Sequence, residues 1–106
     1  MFPLLIIERI RLIAGVENAS GVAFLKTPEA IVEYLNLALE SGDHRVFLKA
    51  LGNAAKAKGM TDVSNKTNIE RTTLYRALSG DQDTGTGVAL KVLQALDIKL
   101  TLEPAT

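Results

Sequence analysis

The chain contains no cysteine and no tryptophan, a single histidine, and aromatic side chains at only 5% of its 106 positions. Without thiols there is no disulfide framework and no thiolate metal site, so cysteine usage leaves the redox compartment open. A lone imidazole gives neither a zinc ligand set nor a Ser-His-Asp arrangement, and no metal or cofactor is expected. His44 reads instead as a surface residue in the first turn of a helix, beside Asp43. Long apolar runs are missing too. The opening FPLLIIERIRLIAG is interrupted at Glu8, Arg9 and Arg11, well short of the roughly 20 apolar residues that a membrane span needs. It also lacks the basic start of a signal peptide, which makes the cytoplasm the default expectation. Nor is there an excess of one charge. The net charge is zero, which by itself does not point to nucleic acid. Its distribution says more: residues 1–43 carry three basic against six acidic side chains, and residues 44–106 nine against six. An acidic front and a basic back suit a protein whose back meets phosphate while its front meets something basic.

What is present is enough for one domain with a modest core, since 47% of the residues are hydrophobic. Residues 1–26 read as an N-terminal arm in which Leu5, Ile6, Ile10 and Ile13 fit a helix face, although residues 4–7 would also serve as a short strand. Helical signals become clear at Thr27-Pro28. Thr27 can cap, Pro28 suits the first helical position, and Glu29 favours the positive end of the dipole. Ile31, Leu35 and Ala38 then form an apolar stripe flanked by Val32 and Leu39, and the helix stops near Ser41-Gly42. A second helix starts with Asp43 as cap and runs to about Lys58, with Gly59 as the stop. Phe47, Ala50, Leu51 and Ala54 make its core face. Arg45, Lys49, Asn53 and Lys56 line the opposite side, a stripe that reads as a solvated face rather than a set of phosphate contacts.

The most informative stretch is 60–78, MTDVSNKTNIERTTLYRAL, which predicts two short helices joined by a sharp turn. Thr61 is placed to cap the first, over 62–67. Asn68 tolerates the left-handed backbone that a tight turn needs. Ile69 is an apolar plug, and the second helix spans about 71–78. Val63, Ile69, Leu74, Ala77 and Leu78 supply buried positions. This is the pattern of a DNA-reading helix-turn-helix, although two small amphipathic helices in any bundle would look similar. With Leu74 inward and about 100° per residue, Thr72, Arg76 and Ser79 point outward and Tyr75 lies on the flank. Arg71 sits in the first turn, where base edges are met. Arginine can clamp guanine, threonine can give a hydroxyl or methyl contact, and tyrosine and serine can hold phosphate.

The loop that follows, SGDQDTGTG, contains Asp81 and Asp83. Counting as for an EF-hand from Asp81 puts Val92 where the bidentate glutamate belongs, which removes the calcium reading. Its glycines are followed by no Gly-Lys-Ser/Thr and are not a phosphate loop. No enzymatic activity is expected. A last helix over about 87–96 packs Val88, Ala89, Val92, Leu93 and Leu96 inward. The end alternates, with Ile98, Leu100 and Leu102 on one face and Lys99, Thr101 and Glu103 on the other, which predicts a strand closed by Pro104. A lone strand needs a partner, from a second copy, the N-terminal segment or another protein.

Four stretches taken in order resemble the HigA-type antitoxins, the probable addiction-module antidote proteins. They are FLKTPEAIVEYLNLALESGD, VFLKALGNAAKAKGM, TNIERTTLYRALSG and LKVLQALDIKLTLEP. The resemblance covers residues 24–106 and implies an all-α, lambda-repressor-like domain of five helices over 27–106, with a short C-terminal β-strand. It implies a cytoplasmic homodimer that neutralises a RelE-like ribonuclease toxin and binds double-stranded operator DNA to repress its own operon. The DNA-binding residues would be Arg71, Thr72, Tyr75, Arg76 and Ser79. Ile98, Leu100 and Leu102 are the dimerisation candidates. Such toxins are basic, so Glu29, Glu33 and Glu40 on the first helix are candidates for toxin contact, and the apolar opening 2–13 adds surface to that front half. Alternatives are a free-standing repressor and a toxin-neutralising protein with little DNA binding. The chain departs from the family pattern in three places. Asn68 stands where the turn usually has glycine, and Glu70 where the reading helix usually begins with serine. DTGTG replaces the usual Asn-Pro and large apolar residue before the last helix. The first 20 or so residues match nothing in the family, as expected of a separate arm or an over-extended translation start.

Overall fold

The computed structural model describes residues 25–105. Most of the N-terminal arm, including the apolar opening 2–13, lies outside the described residues. Within them the chain is all-α, with α1 Pro28–Glu40, α2 His44–Lys58, α3 Met60–Thr67, α4 Arg71–Ala77 and α5 Thr86–Ala95. The first two helices start as their sequence signals predict. The Thr27 hydroxyl accepts from the Ala30 N–H at 3.1 Å, and the Asp43 carboxylate accepts from the Arg45 N–H at 2.9 Å.

Helix α2 packs against each of the other four helices. Its sequence allows this because Ala50, Gly52, Ala54 and Ala55 are small and buried, so neighbouring axes approach closely on several sides. Leu48 and Leu51 fill the space between. The core closes with Ile31, Tyr34, Leu35 and Ala38 from α1, Val63 from α3, Leu74 from α4, and Val92 and Leu93 from α5. Leu51, Val63, Leu74 and Val92 are the largest fully buried side chains, each contributing about 1.5–3 kcal/mol by burial.

Three boundaries differ from the sequence expectation. Helix α3 begins at Met60 rather than after Thr61, because Gly59, at φ +114°, ends α2 and starts α3 as one residue. Thr61 therefore lies inside the first turn and caps nothing; its hydroxyl accepts from Arg71 Nη1 at 3.4 Å. Helix α5 runs one residue earlier at both ends than the apolar pattern suggested. The C-terminal strand does not form among the described residues, and residues 98–105 carry no regular structure. Alternation supplies the faces of a strand but not the ladder partner that makes it one. After α5, Asp97 takes the left-handed conformation, Asp97 N–H bonds Gln94 O, and Ile98 N–H bonds Leu93 O. This Schellman stop folds Ile98 onto the core and directs the tail outward. Leu100 and Leu102 are left 49% and 92% exposed.

Candidate nucleic-acid interface

The turn between α3 and α4 is built by side chains returning to their own backbone. Asn68, at φ 62°, adopts the predicted left-handed conformation, and its N–H closes on Ser64 O at 2.9 Å. The Ser64 hydroxyl donates to Ile69 O at 2.6 Å, which accounts for a small polar residue at this crossing. Thr67, the buried polar residue among the described residues, donates to Val63 O at 2.8 Å and accepts from Ile69 N–H at 3.3 Å. No buried side-chain polar atom among the described residues lacks a partner, and these bonds brace the direction in which α4 leaves α3.

Helix α4 has 7 residues and no side-chain N-cap bond. A helix this short is unstable alone in water. It is held through fully buried Leu74 and through Ala77, with Leu78 beyond its end. That leaves Arg71, Thr72, Tyr75 and Arg76 exposed, and Tyr75 is 48% accessible. Ser79 differs from this set. It is half-buried, its hydroxyl donates to Arg76 O at 2.9 Å, and the same oxygen accepts from Asp81 N–H at 3.1 Å. Much of its hydrogen-bonding capacity is spent stopping α4. Glu70 is exposed at the N-cap position without capping.

The following loop is tied down at two points. The Thr84 hydroxyl donates to Ala77 O at 2.5 Å, and Asp83 Oδ1 lies 3.2 Å from His44 Nε2 at the start of α2. His44 thus has a loop partner, beyond the bare surface role that its sequence position suggested. Asp43, the cap beside it, has a carboxyl held below its ordinary value of 3.8, first by the Arg45 backbone N–H and then by the Arg45 guanidinium.

Along α1, Glu29, Glu33 and Glu40 fall together on one shallow groove of about 460 Å³, whose lining includes Val32 and Leu37. The expected front-half acidic set is therefore contiguous. Lys49 and Lys56 are exposed, as their stripe predicted, and they also line one cleft of about 310 Å³ together with Tyr75 and Ser79. The spacing of the stripe was visible in the sequence. That the end of α4 docks across it was not, because this depends on Gly52.

A family model described as "Probable addiction module antidote protein" matches residues 15–104. The chain belongs to this family. An uncharacterized protein of Haemophilus influenzae is 33% identical over 79 residues, 74% of this chain and 81% of that relative. No solved structure matches. Membership makes the chain a probable antidote, an antitoxin, of an addiction module, a class that is usually not enzymatic and whose partner is a cognate toxin. Among the described residues of this antidote, no helix is long and apolar enough to cross a membrane.

Proposed function

We propose that this antidote is a lambda-repressor-like, homodimeric helix-turn-helix protein that binds double-stranded operator DNA through α4 and represses its own operon, while neutralising a RelE-like ribonuclease toxin. The observation that carries the DNA reading is the exposed set Arg71, Thr72, Tyr75 and Arg76 on a helix whose exit direction is braced by the hydrogen-bonded turn. Arg71 in the first turn is the base-reading candidate, and Ser79 shapes the end of the helix. Two such helices must reach major grooves about 34 Å apart, which calls for a dimer. Ile98, Leu100 and Leu102 are the surface that a second copy would cover. The groove of Glu29, Glu33 and Glu40 complements a basic toxin, and its apolar lining offers the desolvated contact that acidic side chains alone would lack.

A second reading, a toxin-neutralising protein with little DNA binding, is favoured by exposed Glu70 at the start of α4, where a carboxylate repels phosphate. Mobility shifts on the DNA upstream of the gene, compared with a random duplex at moderate salt, decide between them. Specific binding should fall by about 1–3 kcal/mol in Arg71→Ala, with relaxed specificity. Wild-type protein that binds both duplexes equally removes the repressor reading. Rescue of toxin-expressing cells by Glu29→Lys/Glu33→Lys at the wild-type level places the toxin contact elsewhere.

A further inference from the structure

We propose that the cleft between α2 and the C-terminal end of α4 seats the phosphate backbone of duplex DNA, with Lys49 and Lys56 each neutralising one phosphate of the same strand. The proposal rests on the nucleic-acid reading of α4 and adds to it a second element, α2, and a direction along the reading helix.

The cleft exists because Gly52 lies beneath the end of α4. A Cβ at that position would stand 3.0 Å from Leu78 O and 3.2 Å from Leu78 Cβ, so glycine lets the two backbones meet at a distance that a side chain would push apart by a few tenths of an ångström. Gly80, at φ +85°, plays the matching part beyond α4, where a Cβ would stand 3.0 Å from Lys49 Cγ and Cε. The Lys49 stem is therefore laid across Gly80 at one end of the cleft. At the other end, Lys56 Nζ stands 5.8 Å from the centroid of the Tyr75 ring. The two lysines are two helical turns apart, roughly 10.5 Å along α2. At opposite ends of one cleft they can reach two charges of one strand, which a single free anion does not offer.

The surroundings are selective for an anion. No carboxylate lines the cleft. Among the described residues neither lysine is in an ion pair, whereas Arg45 is paired with Asp43 and Lys66 with Asp62. The Tyr75 hydroxyl makes no hydrogen bond among the described residues and is placed to add a neutral donor. Asn53 is partly committed, since its Nδ2 donates to the Tyr34 hydroxyl at 2.9 Å. Arg76 in the last turn of α4 adds to the two lysines at its C-terminal end, whereas at the other end Arg71 stands next to Glu70. A backbone tracking the C-terminal end avoids Glu70. The merely structural role for the lysines is compensation of the α4 dipole, which requires no ligand.

The test compares wild-type protein, Lys49→Gln/Lys56→Gln and Lys49→Arg/Lys56→Arg on the upstream duplex and on a random duplex across a salt series. Each phosphate contact contributes about 0.9 to the slope of log affinity against log salt. The Gln variant should lose close to 2 units of slope on both duplexes. The salt-induced drop in affinity between 50 and 200 mM then becomes about tenfold smaller than in wild-type protein. The Arg variant should keep the wild-type slope. Specific binding with an unchanged slope in the Gln variant overturns the phosphate seat and leaves the repressor reading intact. Equal affinity for both duplexes with the loss of slope overturns the repressor reading and keeps the seat. No binding of either duplex at low salt overturns both. In a parallel titration at constant ionic strength, duplex should move the Lys49, Lys56 and Tyr75 side-chain resonances more than inorganic phosphate does. Equal movement by inorganic phosphate marks a free-anion site and overturns the backbone assignment.

Discussion

Helices α1 and α4 both pack on α2, yet they turn opposite charges outward and are stabilised in opposite ways. Helix α1 has 13 residues, a side-chain cap at Thr27, proline in its first turn, and Glu29, Glu33 and Glu40 outside. Helix α4 has 7 residues, no cap bond, and Arg71 and Arg76 outside. Local signals define where α1 begins, whereas α4 exists because the turn aims it and Leu74 anchors it. The contrast teaches that the α4 surface is separable from its fold. Its anchors, Leu74 and Ala77, are buried, and its polar side chains carry little of the packing. On α1 the two roles overlap more, since Val32 and Leu39 are apolar and 39% and 47% exposed within an otherwise acidic face.

The sharpest way to break this comparison is at the anchors. Leu74 is fully buried, and Leu74→Ala should lower the unfolding free energy by about 2–5 kcal/mol in urea denaturation. Thr27→Ala, which removes only the cap of α1, should cost about 1 kcal/mol. Equal costs for the two changes would mean that α4 does not depend on packing more than α1 does. Next in size is Gly52→Val. The new side chain must displace the Leu78 backbone, an overpacking that should cost about 1–3 kcal/mol. The effect should fall on α4, seen as faster amide exchange at residues 74–78 than in α1. Uniform acceleration across both helices would show that α2 transmits the strain to α1 as well.

Helices α1, α2 and α5 were legible because each carries a local signal: Thr27-Pro28 for α1, Asp43 and Gly59 for α2, and the apolar periodicity of α5. The turn was legible through Asn68, whose side-chain type tolerates positive φ. What the sequence concealed depends on contacts between distant residues. Tyr34 and Leu37 are buried on α1 beyond the simple stripe, and Leu48 and Ala55 widen the core face of α2. A four-sided helix such as α2 has no single apolar face to read. Ser79 looked outward by angle, but the chain stops α4 there and uses its hydroxyl to do so. The tail 98–103 showed the alternation of a strand, which is a property of its side chains. Pairing is a property of a second segment, and no local pattern contains it.

A smaller effect sharpens the electrostatic side of the comparison. Glu70 is exposed at the N-cap of α4 and accepts no capping bond from the helix. Glu70→Ser should therefore tighten binding to specific and random duplexes alike, by a few-fold at low salt, through relief of phosphate repulsion. Serine can also cap, so a gain in stability is expected alongside. Toxin neutralisation, assigned to the α1 side, should not change. Tighter binding confined to the upstream duplex would instead mean that position 70 reads a base edge.

The smallest expected effect lies at the junction of the two regions, where Asp43 caps α2. Its carboxyl is held below 3.8 by the Arg45 backbone N–H and then by the Arg45 side chain. A carboxyl whose folded value is depressed contributes stability that is fully present above its unfolded value. That contribution is lost as pH falls through the folded value. Asp43→Ala should therefore melt below wild-type protein at neutral pH, and the gap should narrow only when the pH drops under 3.8. Because the group is exposed and its Arg45 partner is screened, added salt should trim the gap without closing it: the bond to the backbone N–H is local and survives screening, whereas the pairing with the guanidinium does not. A gap that closes fully in high salt at neutral pH would assign the whole effect to the ion pair and none to the cap. A gap unchanged at low pH would show that the carboxyl oxygen caps α2 equally well when protonated, leaving the start of this central helix insensitive to acid.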